Sequence, residues 1–378
     1  MKALLDFCER EQRWLIETIE ALVRLESPTG NADAVNRCRS ELEGRLADLG
    51  GRVQRLPGGS AGDHLRAEFG SGSRQVLLLG HLDTVWPVGT LAERPVRRDD
   101  RRLFGPGVFD MKAGLGLAAL AMRALIASPG GLPGRAVHLV TTDEETGSAT
   151  SRALIEEEAR RSYAVLVLEP PLPGGALKTS RKGCGEFTLT VHGVPAHAGI
   201  EPERGASAVS ELARQIPHIE ALGDSVAGTS VNVGTIRGGT RPNVVAAEAE
   251  ATIDIRFTTA AAAARVVAAL RSLSPHDPRT SLTLTGGVDR PPLERSAGVI
   301  ELFRDAQAVA AAMGRNLGEG AAGGGSDGNL TAAIGVPTLD GLGAVGAGAH
   351  ATDEHVIIDE LPWRAALLAG LLRRILAA

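Results

Sequence analysis

The chain has 378 residues, of which 43% are apolar and 22% are charged, and its formal net charge is −5. That length predicts two domains with separate cores, and the acidic balance excludes the basic surface by which proteins bind nucleic acids. No apolar run approaches the roughly 18 residues of a membrane-spanning helix, and the N-terminus is acidic where a signal peptide has its apolar core, so we expect a cytoplasmic protein without membrane contact. The three widely spaced cysteines favour free thiols over a disulfide framework.

Helical and strand patterns alternate in the first 170 residues. Apolar residues at helical spacing predict four helices, over 2–26, 32–49, 111–127 and 149–160. Apolar segments between them predict four strands, namely HLRAEFG, RQVLLLGHLDTV, 137–142 and 164–168. A Pro/Gly-rich loop is predicted over 87–109. Strands that alternate with helices predict an α/β fold in which helices sandwich a mostly parallel, mixed sheet.

The pattern changes near residue 180 and becomes that of half-buried strands. Four alternating strands and two helices are predicted, in the order 186–192, helix 204–220, 229–237, 247–257, helix 259–273 and 281–285. This β-α-β-β-α-β order is that of a ferredoxin-like α+β domain. Helices over 298–313 and 363–377, with a Gly-rich loop between them, return to the first pattern. We therefore expect an α/β domain in two parts, 1–178 and 289–378, with an inserted domain at 179–288.

Histidines and carboxylates concentrate in five segments at predicted strand ends or in adjoining loops. They are His81 with Asp83, Asp110, Glu144 with Glu145, Glu169, and His350. Each segment alone is more often structural, because strand-end histidines and turn aspartates are common. Ligands bind beyond the carboxyl ends of strands in open α/β sheets, so the co-occurrence of five segments favours one shared site.

Two histidines and three carboxylates form a plausible ligand set for two zinc ions, because nitrogen and oxygen ligands suit Zn²⁺ and a carboxylate can bridge a pair of ions. A dinuclear site of this kind also needs a base near the attacking water. Glu144 is the natural candidate, because its neighbour Glu145 can bind metal while Glu144 points into the cleft. Asp83 lies two residues after His81 and is expected to fix the tautomer of its ring.

The five segments resemble known metal-site motifs. They read GHLDTVWP, GPGVFDMKAG, TTDEETGS, LEP and GAGAH. Together they resemble the dizinc aminoacylase/carboxypeptidase metallohydrolases, which include glutamate carboxypeptidase, acetylornithine deacetylase and succinyl-diaminopimelate desuccinylase. The resemblance covers nearly the whole chain, including the inserted domain. The spacings of 29 residues from His81 to Asp110, 35 to Glu145 and 24 to Glu169 are similar to those of the carboxypeptidase branch.

The resemblance implies a role for each residue by position. Asp110 would bridge two Zn²⁺ per subunit, and the remaining ligands would be His81 with Glu169 for one ion and Glu145 with His350 for the other. Co²⁺ or Mn²⁺ would also suit these ligands. Glu144 would be the general base and then the proton donor to the leaving amine. The peptide bond after Asp110 is expected to be cis.

The inserted domain carries two further candidate residues. GVPAHAGIEPERGASA resembles the motif whose histidine reaches the active site of a partner subunit, so His197 would help to hold the oxyanion in a homodimer formed through this domain. From the residues alone, His197 would be taken for part of a polar surface turn. TRPNVVAAEAEATIDIRF resembles the segment whose asparagine faces the substrate, which makes Asn243 a candidate.

Three positions bear on the substrate. Arg290 matches an arginine near the substrate carboxylate in carboxypeptidase-type members, although a salt bridge at the domain hinge is an equal alternative. The backbone of Gly324 and Gly325 lies in a loop that resembles the pocket lining, whereas Arg181 and Lys182 are expected to be solvated. These features favour an amide substrate with a free C-terminal carboxylate. An N-acyl amino acid deacylase, a dipeptidase and a non-catalytic metal- or ligand-binding homologue stay open as alternatives.

Overall fold

The computed structural model describes residues 1–377, which divide into two units. Unit 1 contains Met1–Ser180, Arg295–Ala322 and the chain from Ser326 onward, and unit 2 contains Arg181–Glu294 with Gly323–Gly325. Within the described residues, no helix combines the length and the apolar character needed to cross a membrane.

The first part of unit 1 alternates helices and strands. Its helices are α1 (Lys2–Arg10), α2 (Gln12–Val23), α3 (Ala32–Asp48), α4 (Thr90–Glu93), α5 (Ala113–Ile126) and α6 (Arg152–Arg160). Its strands are β1 (Arg52–Leu56), β2 (His64–Gly70), β3 (Gln75–His81), β4 (Arg97–Arg98), β5 (Arg102–Phe104), β6 (Arg135–Thr141), β7 (Ala164–Val167) and β8 (Leu177–Arg181).

Unit 2 follows the predicted ferredoxin-like order. Its elements are β9 (Gly183–His192), α7 (Ala208–Glu220), β10 (Ser230–Gly238), β11 (Glu248–Phe257), α8 (Ala260–Arg271) and β12 (Ser281–Arg290). The four strands form an antiparallel sheet in the order β10-β11-β9-β12. The inward residues of β9 and β11 alternate with outward polar ones and pack with α7 and α8 in a core of their own. The prediction of an inserted β-α-β-β-α-β domain is confirmed.

The remaining chain completes unit 1. Its elements are α9 (Ala297–Ala311), β13 (Glu319–Ala322), α10 (Asp327–Ala333), β14 (Thr338–Leu339), β15 (Gly346–Ala347), β16 (His355–Ile357) and α11 (Leu361–Ala377). The main sheet of unit 1 has the order β1-β2-β6-β3-β7-β14. The four strands β6, β3, β7 and β14 are parallel, and β2 runs antiparallel to its neighbours, which confirms a mostly parallel, mixed sheet.

The central strand β3 is buried on both faces, as its continuous apolar run predicts. Val76 and Leu78 pack into the larger core with α1, α2, α5 and α11. Leu77 and Leu79 point the other way and pack against α6 and α10 in a smaller core. This burial fixes the position of His81, the last residue of the strand.

Two predicted segments differ from the structure. The helix predicted over 2–26 is two helices that meet at Glu11, because α1 packs against α11 and α5 whereas α2 packs against α5 and α3. The segment predicted as a loop over 87–109 contains α4, β4 and β5. Strand β5 pairs with β16, so its partner lies about 250 residues away along the chain and leaves no local signal. All three cysteines are free, and Cys8 and Cys38 are buried.

Candidate metal centre

Three of the five predicted ligands lie at or shortly after the carboxyl ends of strands of the main sheet, and the other two lie in loops that adjoin a second sheet, β15-β16-β5-β4. His81 ends β3, Glu145 lies in a turn after β6, and Glu169 follows β7 by two residues. Asp110 lies in the turn that leads into α5, and His350 lies between β15 and β16. The parallel strands therefore deliver three of the ligands to one edge of the sheet.

Side-chain atoms of these residues converge in two groups of three. His81, Asp110 and Glu169 form one group, and Asp110, Glu145 and His350 form the other; within each group the ligand atoms lie within 4.8 Å of one another. Asp110 belongs to both groups because its two oxygens face opposite imidazoles. Its Oδ1 is 3.2 Å from Nε2 of His81, and its Oδ2 is 3.4 Å from Nε2 of His350.

The ring of His81 is oriented for binding a cation. Its Nδ1 lies 3.0 Å from the backbone carbonyl oxygen of Asp83, which only accepts hydrogen bonds, so Nδ1 carries the proton. In the neutral ring Nε2 then presents a lone pair, at 3.2 Å from Asp110 and 3.4 Å from Oε1 of Glu169. Three electron-rich atoms that face one another are the donor set of a metal ion.

The carboxylate of Asp83 faces both the ring of His81 and the turn that carries Glu144 and Glu145. Its Oδ1 is 3.5 Å from Nδ1 of His81, farther than the Asp83 carbonyl. Its oxygens accept hydrogen bonds from the hydroxyl of Thr29 at 2.7 Å and from the backbone N–H groups of Glu144 and Glu145 at 3.3 and 3.2 Å. The main contacts of the carboxylate therefore hold the turn that carries Glu144 and Glu145.

Only one of the two carboxylate oxygens of Glu145 has a partner. Its Oε2 is 3.2 Å from Nε2 of His350, but its Oε1 is buried without a hydrogen-bond partner. Burial raises the pKa of Glu145 to about 7. An orphaned buried carboxylate oxygen beside a histidine fits a divalent cation, and so does the donor set of three carboxylates and two imidazoles with no thiolate.

The candidates of unit 2 lie on two adjacent segments. His197 pairs with Val244 in an antiparallel bridge, and the Ala198 N–H donates to the Asn243 carbonyl at 3.0 Å, so His197 and Asn243 are brought together. Both residues are exposed. Nδ1 of His197 accepts from the Gly199 N–H at 3.1 Å, so the neutral ring carries its proton on Nε2.

Arg290 and Arg181 are both buried, at 5% and 6% exposure. Arg290 ends β12 opposite Cys184. The prediction that Arg181 is solvated is wrong: its guanidinium donates to the carbonyls of Gly324 and Gly325, each at 2.7 Å. The Gly-rich loop is thus held through its carbonyl groups.

One further feature of the centre was expected from the sequence, and another was missed. The peptide bond between Asp110 and Met111 is cis, as the resemblance implies. Glu354, however, was not predicted, although its carboxylate accepts four hydrogen bonds from the segments around Trp86 and Asp110. The available signal was its position four residues after His350.

Comparison with known proteins agrees with this geometry. The model of peptidase family M20/M25/M40 matches residues 77–374. The chain is 30% identical over 373 residues to carboxypeptidase G2 of Pseudomonas sp. (strain RS-16), covering 96% of this chain and 89% of that protein. It is 28% identical over 362 residues to succinyl-diaminopimelate desuccinylase of Pseudoalteromonas atlantica, covering 90% and 94%.

Solved structures share the fold over nearly the whole chain. Aminopeptidase PepT from Bacillus cereus has a TM-score of 0.80 at 24% identity and covers 96% of this chain and 98% of that one. The M20 family metallo-carboxypeptidase Sso-CP2 from Sulfolobus solfataricus has a TM-score of 0.72 at 15% identity, with 96% and 99% covered. The matched family model spans all five ligand positions. The chain therefore belongs to peptidase family M20/M25/M40 and is a metal-dependent amide hydrolase.

Proposed function

We propose that the chain cleaves the amide bond of a peptidyl or N-acyl amino acid that carries a free C-terminal carboxylate, with two Zn²⁺ per subunit and Glu144 as general base. The observation that carries this proposal is the pair of three-ligand groups that share Asp110. In such a site a pair of divalent cations supplies polarisation of the scissile carbonyl and a lower pKa for the attacking water.

The proton transfers are assigned to Glu144. It lies next to the ligand Glu145 in the turn 144–146, and Asp83 fixes that turn by accepting both backbone N–H groups. The Glu144 carboxylate takes a proton as the water oxygen bonds to the carbonyl carbon. It then returns this proton to the amide nitrogen as the carbon–nitrogen bond breaks, so that the amine leaves neutral.

Part of the stabilisation of the negative charge that develops on the carbonyl oxygen is assigned to His197 of the partner subunit. Because Nδ1 of His197 accepts from the Gly199 N–H, the proton lies on Nε2, and this N–H group can donate to the oxyanion. A homodimer through unit 2 is supported by the open edge strand β10, where Ile236 is 62% exposed, and by Val209 beside it on α7, at 43%.

Substrate selection is assigned to the basic and Gly-rich positions near the ends of unit 2. Arg290 would grip the substrate carboxylate, with Asn243 and the backbone of Gly324 and Gly325 lining the pocket. The names of two relatives support this substrate class. One relative is named as a carboxypeptidase and the other as a desuccinylase, and both names describe cleavage of a bond to an amino acid.

The first test is hydrolysis of a substrate panel by the purified protein, with and without a chelator. The panel combines N-acetyl, N-succinyl, N-benzoyl and peptidyl groups with Glu, Ala, Phe, Lys and ornithine as the released amino acid. We expect chelator-sensitive cleavage that needs the free carboxylate, so the matching amino acid amides should not react. Preference for an N-succinyl or N-acetyl group irrespective of the amino acid would identify a deacylase instead.

A second test replaces the proposed base. Glu144→Gln keeps the size of the side chain but cannot accept the proton, so kcat should fall by about 10²–10⁴-fold. Metal content, measured by elemental analysis, should stay that of wild type because Glu144 is not in either ligand group. Glu157→Gln, on the exposed face of α6, is the matched control and should keep full activity. Unchanged turnover in Glu144→Gln would contradict the proposed mechanism.

A further inference from the structure

A buried carboxylate outside the two ligand groups lies beside the metal centre. Glu354 is 2% exposed and belongs to the loop between β15 and β16. Its Oε1 accepts from the backbone N–H groups of Phe109 and Asp110, at 2.9 and 3.1 Å. Its Oε2 accepts from the backbone N–H of Gly107 at 2.7 Å and from the indole N–H of Trp86 at 2.9 Å. Four donors thus converge on two oxygens.

These donors belong to segments that carry metal ligands. The turn Gly107–Asp110 ends in the shared ligand Asp110, and its last N–H is one of the four donors. Trp86 follows His81 by five residues. Glu354 itself follows His350 by four residues. One carboxylate therefore joins the segments of three ligands that lie far apart in the sequence.

The conformation of His350 explains why such an anchor is needed. His350 has a φ of 59°, a left-handed backbone conformation that non-glycine residues rarely adopt. A residue keeps such a conformation only when the structure around it imposes it. The hydrogen bonds of Glu354 fix the loop just beyond His350, and the backbone N–H of Ala351 donates to Gly348 on its other side.

We propose that Glu354 is a positioning residue that fixes Asp110 relative to His350 and thereby sets the affinity for both metal ions. The inference rests on the proposed two-metal function. Glu354 is not a candidate ligand, since it belongs to neither ligand group. Because Asp110 belongs to both groups, a shift of its turn weakens both sites together.

The substitution Glu354→Gln tests this role with little change in volume. A glutamine keeps one acceptor oxygen but turns an amide NH₂ toward two of the four donors, so two hydrogen bonds become donor–donor contacts. The control is Glu211→Gln in unit 2. Glu211 is another buried carboxylate that accepts backbone N–H groups, those of His276 and Asp277, but it lies in the unit that holds no metal ligand.

The experiment is metal titration of the full-length, metal-free protein. Zn²⁺ affinities are measured by competition with a chromophoric chelator, and Co²⁺ binding is followed by its d–d absorption. We expect Glu354→Gln to bind both ions about 10–100-fold more weakly than wild type, in keeping with the effect of removing partners that orient metal ligands. Glu211→Gln should keep wild-type affinities even if its melting temperature falls.

A second variant covers the case in which Glu354→Gln does not fold. Trp86→Phe removes one donor and keeps an aromatic ring in place. It should therefore lower the affinity for both ions as well, by less than about tenfold. Affinities like those of wild type in a folded Glu354→Gln, or in Trp86→Phe if it alone folds, would overturn this inference and leave the proposed function intact. Wild-type protein that binds fewer than two ions would overturn both.

Discussion

At the scale of single residues, the centre contains two carboxyl groups whose pKa values move in opposite directions. Burial raises the pKa of Glu145 to about 7, and Oε1 of this residue has no hydrogen-bond partner. Asp110 is also buried, yet its hydrogen bonds to the imidazoles of His350 and His81 hold its pKa well below the usual range. The same bond to Asp110 raises the pKa of His350 to about 9. Hydrogen bonds from the two imidazoles thus favour the charged form of Asp110.

This distribution of protons predicts that metal binding releases protons. At pH 7 His350 is protonated and Glu145 is partly protonated, and both must lose their protons to bind a cation. The apparent Zn²⁺ affinity should therefore rise as the pH increases from about 6 to 9, through the range in which these groups titrate. Calorimetric titration in buffers of different ionisation enthalpy measures the release directly. A binding enthalpy that does not depend on the buffer would contradict this prediction.

At the scale of secondary-structure elements, the last helix, α11, holds a loop that contacts the candidate metal centre. Arg364 is fully buried, and its guanidinium donates to the carbonyls of Gly343 at 2.8 Å, Gly175 at 3.0 Å and Gly341. The Gly343 N–H in turn donates to the carbonyl of Glu169 at 2.9 Å. A side chain at Gly343 would place its Cβ 2.3 Å from the Leu168 carbonyl oxygen, so glycine is required for this close approach. The helix thus fixes the backbone of the candidate ligand Glu169 through one loop.

Replacement of Arg364 by methionine should destabilise unit 1 strongly. Burial lowers the pKa of Arg364 to about 9, so the side chain stays charged at neutral pH. The substitution leaves three buried carbonyl groups without their donors, which we expect to cost about 3–5 kcal/mol. Urea unfolding measures the loss. Arg374→Met on the same helix, where the side chain is exposed and paired with Asp305, should cost no more than about 1 kcal/mol. Equal losses in the two variants would contradict this account of Arg364.

At the scale of the whole molecule, the fold and the positions of the five candidate ligands could be predicted because their signals are local. The apolar run of β3 and the alternating strands of unit 2 report burial within a few residues. His81 and Glu145 were found because catalytic segments follow such strands directly. Strand β5 and the contacts of Glu354 could not be found in this way. The residues that donate hydrogen bonds to Glu354 lie between 244 and 268 residues away along the chain, so only the folded chain reveals these contacts.

The proposed homodimer allows a direct test of the role assigned to His197. If His197 acts in the partner's active site, a chain with Glu144→Gln still donates a functional His197 to its neighbour. A chain with His197→Ala still has a functional Glu144. A mixed dimer of these two chains then holds one complete active site, assembled from the Glu144 of one chain and the His197 of the other.

Mixing the two inactive variants should therefore restore activity. Random reassociation of equal amounts makes half of the dimers mixed, each with one complete site of two, so about a quarter of the wild-type activity should return. The assay is hydrolysis of the best panel substrate after co-expression of differently tagged chains. As a control, Glu144→Gln is combined with a Glu144→Gln, His197→Ala double variant, which completes no site under either arrangement. If the mixture is no more active than the sum of its separate variants, His197 acts within its own chain or has no catalytic role.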